Sequence, residues 1–417
     1  MTESPRQPIE ARLAAAGLPP IPRLAWLELD LDALASNLGT LRALAGGVPV
    51  HPVVKADAYG HGAVPIARAL VAARTEGLSV ATMDEALELR VAGLEVQIRV
   101  MYAIPPEFAA EAARQRITVA AGDGTTIDGL LATATAGGAG MDGALPLAVE
   151  IEIETGLGRG GTRPDDVAAV AGRIAASPAA RLTGIWTHLQ ASDDAVTTAA
   201  QLRRFDSIEE AFGAASVPLP DRHVAASGGL LSAVAAFEGV RPGLSIYGVV
   251  PDEFEGRELP AVATRSPLRP VMSLHARPIR VMDLPAGYGI SYGPSFTTSR
   301  PSRIATLPLG YGDGFARSLA NRASALVRGG RVPLVGNVTM DAIMADVTDV
   351  PGPPVGLDDE FVLLGAQGTE RIPVEELARL RTTNTWEVMV QMSGRLPRVY
   401  HAAAGPVGLR TLTERRG

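Results

Sequence analysis

Residues 48–62 read VPVHPVVKADAYGHG, and this stretch decides how the rest of the chain is read. An apolar, β-branched run ends at Lys55. A Gly-rich turn follows, and an Ala-rich helical run opens at Ala63. Strand, turn and helix in that order make half of a βαβ unit. The lysine falls at the carboxyl end of the strand, where parallel α/β barrels carry their chemistry. Partial burial there lowers an ammonium pKa and frees the amine to attack a carbonyl. The plainer reading is an ion-paired lysine, with Asp57 as its partner. The chain nevertheless holds no other lysine among its 38 Lys and Arg residues, which singles this one out.

The alternation continues outward from that stretch. Strand-like runs fall at 49–54, 78–81, 97–102, 117–121, 147–153, 182–188, 222–226 and 244–247, with helical runs at 63–74, 83–92, 106–114, 165–176 and 200–214. Eight strands in about 200 residues predict an α/β fold of the (β/α)8 TIM type rather than an open sheet. Beyond about Thr264 short strand-like runs separated by Gly and Pro turns predict a mainly β C-terminal domain. The expected division is a barrel over residues 24–262 and a β domain over residues 263–417, with residues 1–23 packing on the latter.

Composition narrows the function. The net charge of −7 disfavours a phosphate-backbone footprint, so no nucleic-acid partner is expected. The absence of cysteine removes disulfides, Cys-ligated metals, thiol nucleophiles and the paired-thiol racemases that work without a cofactor. No metal site is expected. Residues 1–22 lack the apolar run of a signal peptide and no stretch is apolar enough to span a bilayer, so the expectation is a cytoplasmic protein without membrane contact.

Further strings join the first: WLELDLDALASNL, ATMDEALELR, ETGLGRGG, WTHLQASDD, RPGLSIYG, GISYG, LPLGYGDGF, VGNVTMDAIMADVT and SGRLPRVYH, in that order from Trp26 to His401. Together with VVKADAYGHGA they closely resemble the alanine racemases, which depend on pyridoxal 5'-phosphate (PLP) and pair a barrel with a β domain. The resemblance implies PLP linked to Lys55, with Arg241 facing the pyridine nitrogen. Tyr59, Ser227, Gly243, Leu244 and Tyr400 would hold the phosphate. Lys55 and Tyr292 would be the two catalytic bases, and His188 would link Arg241 to Tyr292 by hydrogen bonds. Arg159 would contact the cofactor's phenolic oxygen and the substrate carboxylate, with Met340 and Asp341 nearby from a second subunit. A homodimer with shared active sites, acting on a small amino acid, is what this implies.

The sequence also departs from the family. Glu152 stands where many alanine racemases carry a carbamylated lysine, and its charge is expected to orient Arg159 in the same way. Ala226 replaces a common Asn, Gly312 a common Ala, and Asn337 a common Arg. Rival readings are a racemase of another or broader amino-acid range and a non-catalytic PLP-binding protein. A decarboxylase on the same fold usually needs a cysteine that this chain lacks.

Overall fold

The computed structural model describes residues 7–413, and its contacts divide them into two units. The barrel unit covers residues 34–58 and 63–269. Seven parallel strands, Gly77–Val80, Gln97–Val100, Ile117–Ala121, Leu147–Glu152, Ala180–Trp186, Asp221–Ala226 and Gly239–Arg241, pair in sequence order. Residues 50–53 take the eighth place through two isolated parallel bridges, Val50 to Val240 and Val53 to Ser79. Pro49 and Pro52 explain why no longer ladder forms there: a proline has no N–H to give. His51 and Val53 supply the donors, to the carbonyls of Val240 and Pro242.

Helices fill the crossovers, among them Ala63–Ala72, Met83–Val91, Gly124–Ala136, Val167–Ala176 and Ala195–Asp206. Their starts are chemically marked. Asp123 accepts from Thr126 N and Asp194 from Thr197 N, each at 2.7 Å, satisfying amides that a helix leaves orphaned.

Two expectations need correction. Residues 244–247 do not form the last barrel strand; Leu244–Tyr247 is a 3-10 turn, and the strand is Gly239–Arg241. Pro242 ends the ladder, and the strand-like look of the turn came from burial of Leu244, Ile246 and Tyr247. Nor does the strand Ala25–Asp30, inside the range 24–262, join the barrel. It pairs with Met272–Ala276 and Arg398–Ala402 in the other unit.

That β unit covers residues 7–33, 59–62 and 270–413. Its main sheet runs Arg280–Leu284, Ser302–Leu307, Ile343–Asp346, Gly330–Val335, Ser324–Val327, Phe361–Gln367, Met272–Ala276, Ala25–Asp30, Arg398–Ala402, Gly405–Arg410. All these pairings are antiparallel except Ala25–Asp30 with Arg398–Ala402. The helix Ile9–Ala15 packs Ile9 and Leu13 against Trp26 and Val399, which places the stretch from residue 7 on this unit. Residues 1–6 of the N-terminal expectation lie outside the described residues.

Candidate active site

The barrel collects its chemistry at one end. Lys55 follows the Val53 bridge, Arg159 lies in the loop after Leu147–Glu152, and His188 comes two residues after Ala180–Trp186. Ser227 directly follows Asp221–Ala226, and Gly243 and Leu244 come just after Gly239–Arg241. Parallel strands place all these positions at one mouth, although they are spread over nearly 200 residues of sequence.

Lys55 is half-buried, and its pKa is lowered by burial first and by the Arg159 guanidinium second. The chain then does something unusual. Ala56, Asp57, Ala58 and Tyr59 are all left-handed, with φ between 52° and 54°. L-residues resist this conformation by roughly 1–2 kcal/mol each, so the surroundings must hold it. Glu85 Oε1 accepts from Ala56 N at 2.7 Å, and Asp57 Oδ1 accepts from Ala63 N at 2.8 Å, capping the next helix rather than waiting for Lys55. Within the β unit, the Gly60 carbonyl accepts from Arg398 Nε at 2.9 Å. At Gly60 (φ +81°) a Cβ would lie 2.3 Å from the Met389 carbonyl oxygen.

Tyr400 is only 2% exposed, and its hydroxyl donates to the His61 carbonyl at 3.0 Å, so it props the turn from within the β unit. Tyr59 is buried in the turn itself.

Amides and hydroxyls gather after the last two barrel strands. The amides of Gly243 and Ser245 converge on Ser227 Oγ at 3.0 and 3.1 Å, and Ser245 Oγ is buried without a partner. Backbone amides converging with hydroxyls form an anion nest. Arg159 Nη2 donates to Glu152 Oε1 at 3.4 Å, and its guanidinium lies 5.3 Å from the Tyr102 ring centroid. Burial raises the Glu152 pKa while Arg159 pulls it back. Glu152 thus stands where an orienting anion was expected.

The barrel interior departs from the apolar layers usual for the fold. Arg99 Nε donates to Glu150 Oε1 at 2.7 Å, and His223 Nε2 meets Glu150 Oε2 at 3.0 Å. Arg241 Nη1 donates to His223 Nδ1 and to the His223 carbonyl, and Nη2 to the Thr187 carbonyl at 2.9 Å. A guanidinium only donates, so His223 Nδ1 must accept and its proton must sit on Nε2, facing Glu150. Burial opposes the Glu150 charge, but Arg99 and His223 hold the carboxyl well below the usual range. The link expected from Arg241 to His188 is absent; His223 takes that place, and the ring of His188 makes no hydrogen bond among the described residues. His188 is pushed down to about 3 by burial and by Arg241.

Arg99, Glu150, His223 and Ser245 were not foreseen. A signal existed for two: a charged side chain between β-branched neighbours, Arg99 in QIRV and Glu150 in LAVEIE.

On the β unit, Tyr292 lies in the turn between Gly289–Ile290 and Phe296–Thr297 and is 79% exposed. Asn337 Nδ2 donates to its carbonyl at 2.7 Å. Tyr292, Tyr311, Arg317, Asn337 and Met340 line an open cavity of about 590 Å³. Asp341 accepts from Arg395 Nη2 at 2.6 Å.

Both domains have relatives among known proteins. Residues 29–251 match the family "Alanine racemase, N-terminal domain", and residues 271–400 match "Alanine racemase, C-terminal domain". An alanine racemase of Syntrophobacter fumaroxidans is 38% identical over 387 residues, covering 90% of this chain and 97% of that protein. The alanine racemase of Bacillus anthracis, solved with bound L-Ala-P, superposes with a TM-score of 0.85 at 29% identity, over 95% of this chain and all of that one. A histidine racemase of Leuconostoc mesenteroides shares the fold at 25% identity and a TM-score of 0.82, over 91% and 99% of the two chains. With both domains matched and relatives aligned along nearly their whole length, the chain belongs to the alanine racemase family.

Proposed function

We propose that this chain interconverts L- and D-alanine using PLP held at the barrel mouth. The observation that carries the reading is the convergence at that mouth of a lone, pKa-lowered lysine, an anion nest and a buried arginine. These residues fit a phosphorylated aldehyde. Ser227, the Gly243 and Leu244 amides and the unpartnered Ser245 hydroxyl would take the phosphate, and Lys55 the carbonyl carbon. Arg241 would donate to the ring nitrogen without protonating it, because a guanidinium keeps its proton.

When bound, the cofactor withdraws electrons and acidifies the α-proton of an attached amino acid. The remaining work belongs to the chain. Lys55 takes or returns the proton on one face. Tyr292 of the partner subunit serves the other, and Met340 and Asp341 of the partner subunit lie near the carboxylate that Arg159 binds. Two bases on opposite faces are what inversion requires. The exposed rim of Tyr292, Tyr311 and Met340 supports a homodimer, since clustered apolar exposure marks an interface.

The test is direct. Purified protein with PLP should form D-alanine from L-alanine, and alanine should lead a panel of amino acids. Borohydride reduction should then fix the cofactor on Lys55, at the chain's single site for a Lys-specific protease. Labelling confined to the N-terminal amine would reject the role of Lys55.

A further inference from the structure

The barrel has a second mouth. Its N-terminal end opens into a cavity of about 440 Å³, walled by residues that begin the strands: His51, Gln97, Arg99, Arg181, Asp221 and His223 among them. The size suits a small ligand. Strand direction puts this cavity at the end opposite Lys55, Ser227 and Gly243, so it belongs to no step of the proposed reaction.

Its polar groups are unevenly satisfied. Arg99 commits Nε to Glu150, but its Nη1 is buried with no partner. Buried donors without a partner are rare in folded proteins and call for an explanation. His51 is 4% exposed, and its Nδ1 is likewise buried and unpartnered. Arg181 at the rim makes no ion pair among the described residues. The acids of the wall are mostly engaged elsewhere. Glu76 accepts from Arg42 and from Val50 N, and Glu238 is bound by Arg222. Only Asp221 has no cationic partner among the described residues. Two guanidinium groups with donors to spare therefore face one uncommitted carboxylate.

We propose that this N-terminal mouth binds a small oxyanion, a carboxylate or a phosphate, on the guanidinium groups of Arg99 and Arg181. Arginine presents paired donors that match the oxygens of either group. The buried Nη1 of Arg99 forms the floor of the site, Arg181 closes it from the rim, and His51 supplies one further donor. Asp221 opposes the ligand and limits its affinity.

Calorimetric titration of the PLP-loaded protein with inorganic phosphate tests this, because the cofactor's own phosphate then fills the nest at the other mouth. Arg99 is unsuitable for mutation, since its loss would strand Glu150 in the core. Arg181→Gln and Asp221→Asn alter the rim alone. Wild type should bind phosphate saturably. Arg181→Gln should weaken that binding by about tenfold, as for loss of a charge-assisted contact, and Asp221→Asn should tighten it severalfold. Acetate provides the second arm. Acetate binding sensitive to Arg181→Gln assigns the site to carboxylates, and phosphate binding alone assigns it to phosphates. Absence of saturable binding in wild type, or one affinity shared by all three proteins, would overturn the site and leave the cavity to water.

Discussion

At the residue scale, Glu152 is the most informative departure. A carboxylate is shorter than a carbamylated lysine, and here it reaches Arg159 through one contact at 3.4 Å. Arg159's side chain is 39% exposed, so solvent screens the pair, and it contributes about 0.5–1 kcal/mol. Glu152→Gln should therefore slow racemisation by roughly two- to fivefold, mostly through KM for the substrate carboxylate. Added bicarbonate should change neither protein, because no lysine is there to carbamylate. Unaltered kinetics in Glu152→Gln would remove the positioning role.

At the element scale, the turn that carries Tyr292 is held from outside. Ser291 has φ +68°, its hydroxyl donates to the Asn337 carbonyl at 2.8 Å, and Asn337 Nδ2 returns bonds to Tyr292 O and Gly293 O. In sequence Asn337 was a departure without a reason. The structure makes it the clamp on the proposed second base. Asn337→Ala loses two bonds of about 1 kcal/mol each and frees a left-handed turn. We expect kcat to fall by about tenfold while reductive labelling of Lys55 is unchanged. A parallel loss of labelling would mean that the substitution damages more than the turn.

For the whole molecule, two measurements apply. If active sites are shared, Lys55→Ala and Tyr292→Phe should each be nearly inactive, since a positioned proton-transfer group supplies about 10²–10⁴-fold. Subunit exchange between them should restore up to about a quarter of wild-type activity, because each mixed dimer has one intact site. No recovery after verified exchange would place both bases in one chain or remove Tyr292 from the pair. The second measurement is stability against pH. Burial, with nearby guanidinium groups, pushes His51 down to about 2 and His188 to about 3, and burial holds His223 at about 4 against the pull of Glu150. Above about pH 6.5 neither state binds these protons. As pH falls, the unfolded chain takes protons that the fold refuses, so stability is lost. Tm should fall from pH 7 to pH 5 at fixed protein concentration, before Glu150 contributes at lower pH. A Tm that is flat or rises over that window would contradict the burial of these imidazoles.

The alternation of apolar runs with Ala-rich helices was enough to imply a barrel, because a parallel strand buried on both faces has to be apolar throughout. Lys55 was legible for a related reason: strand, turn and helix order puts that position at a barrel mouth whatever the rest of the chain does. Other features depend on pairings between distant segments. Ala25–Asp30 has the composition of a barrel strand, and only its partners, Met272–Ala276 and Arg398–Ala402, assign it to the β unit. Leu244–Tyr247 is apolar because it is buried, and burial alone does not separate a strand from a 3-10 turn. Tyr400 reads in sequence as one more aromatic, and only the fold brings its hydroxyl to the carbonyl of His61, 339 positions away. The chain Arg99–Glu150–His223–Arg241 joins four strands across a closed barrel. Nothing in the local sequence of any member names the others, and closure of the ring makes them partners by bringing charges together where water cannot separate them.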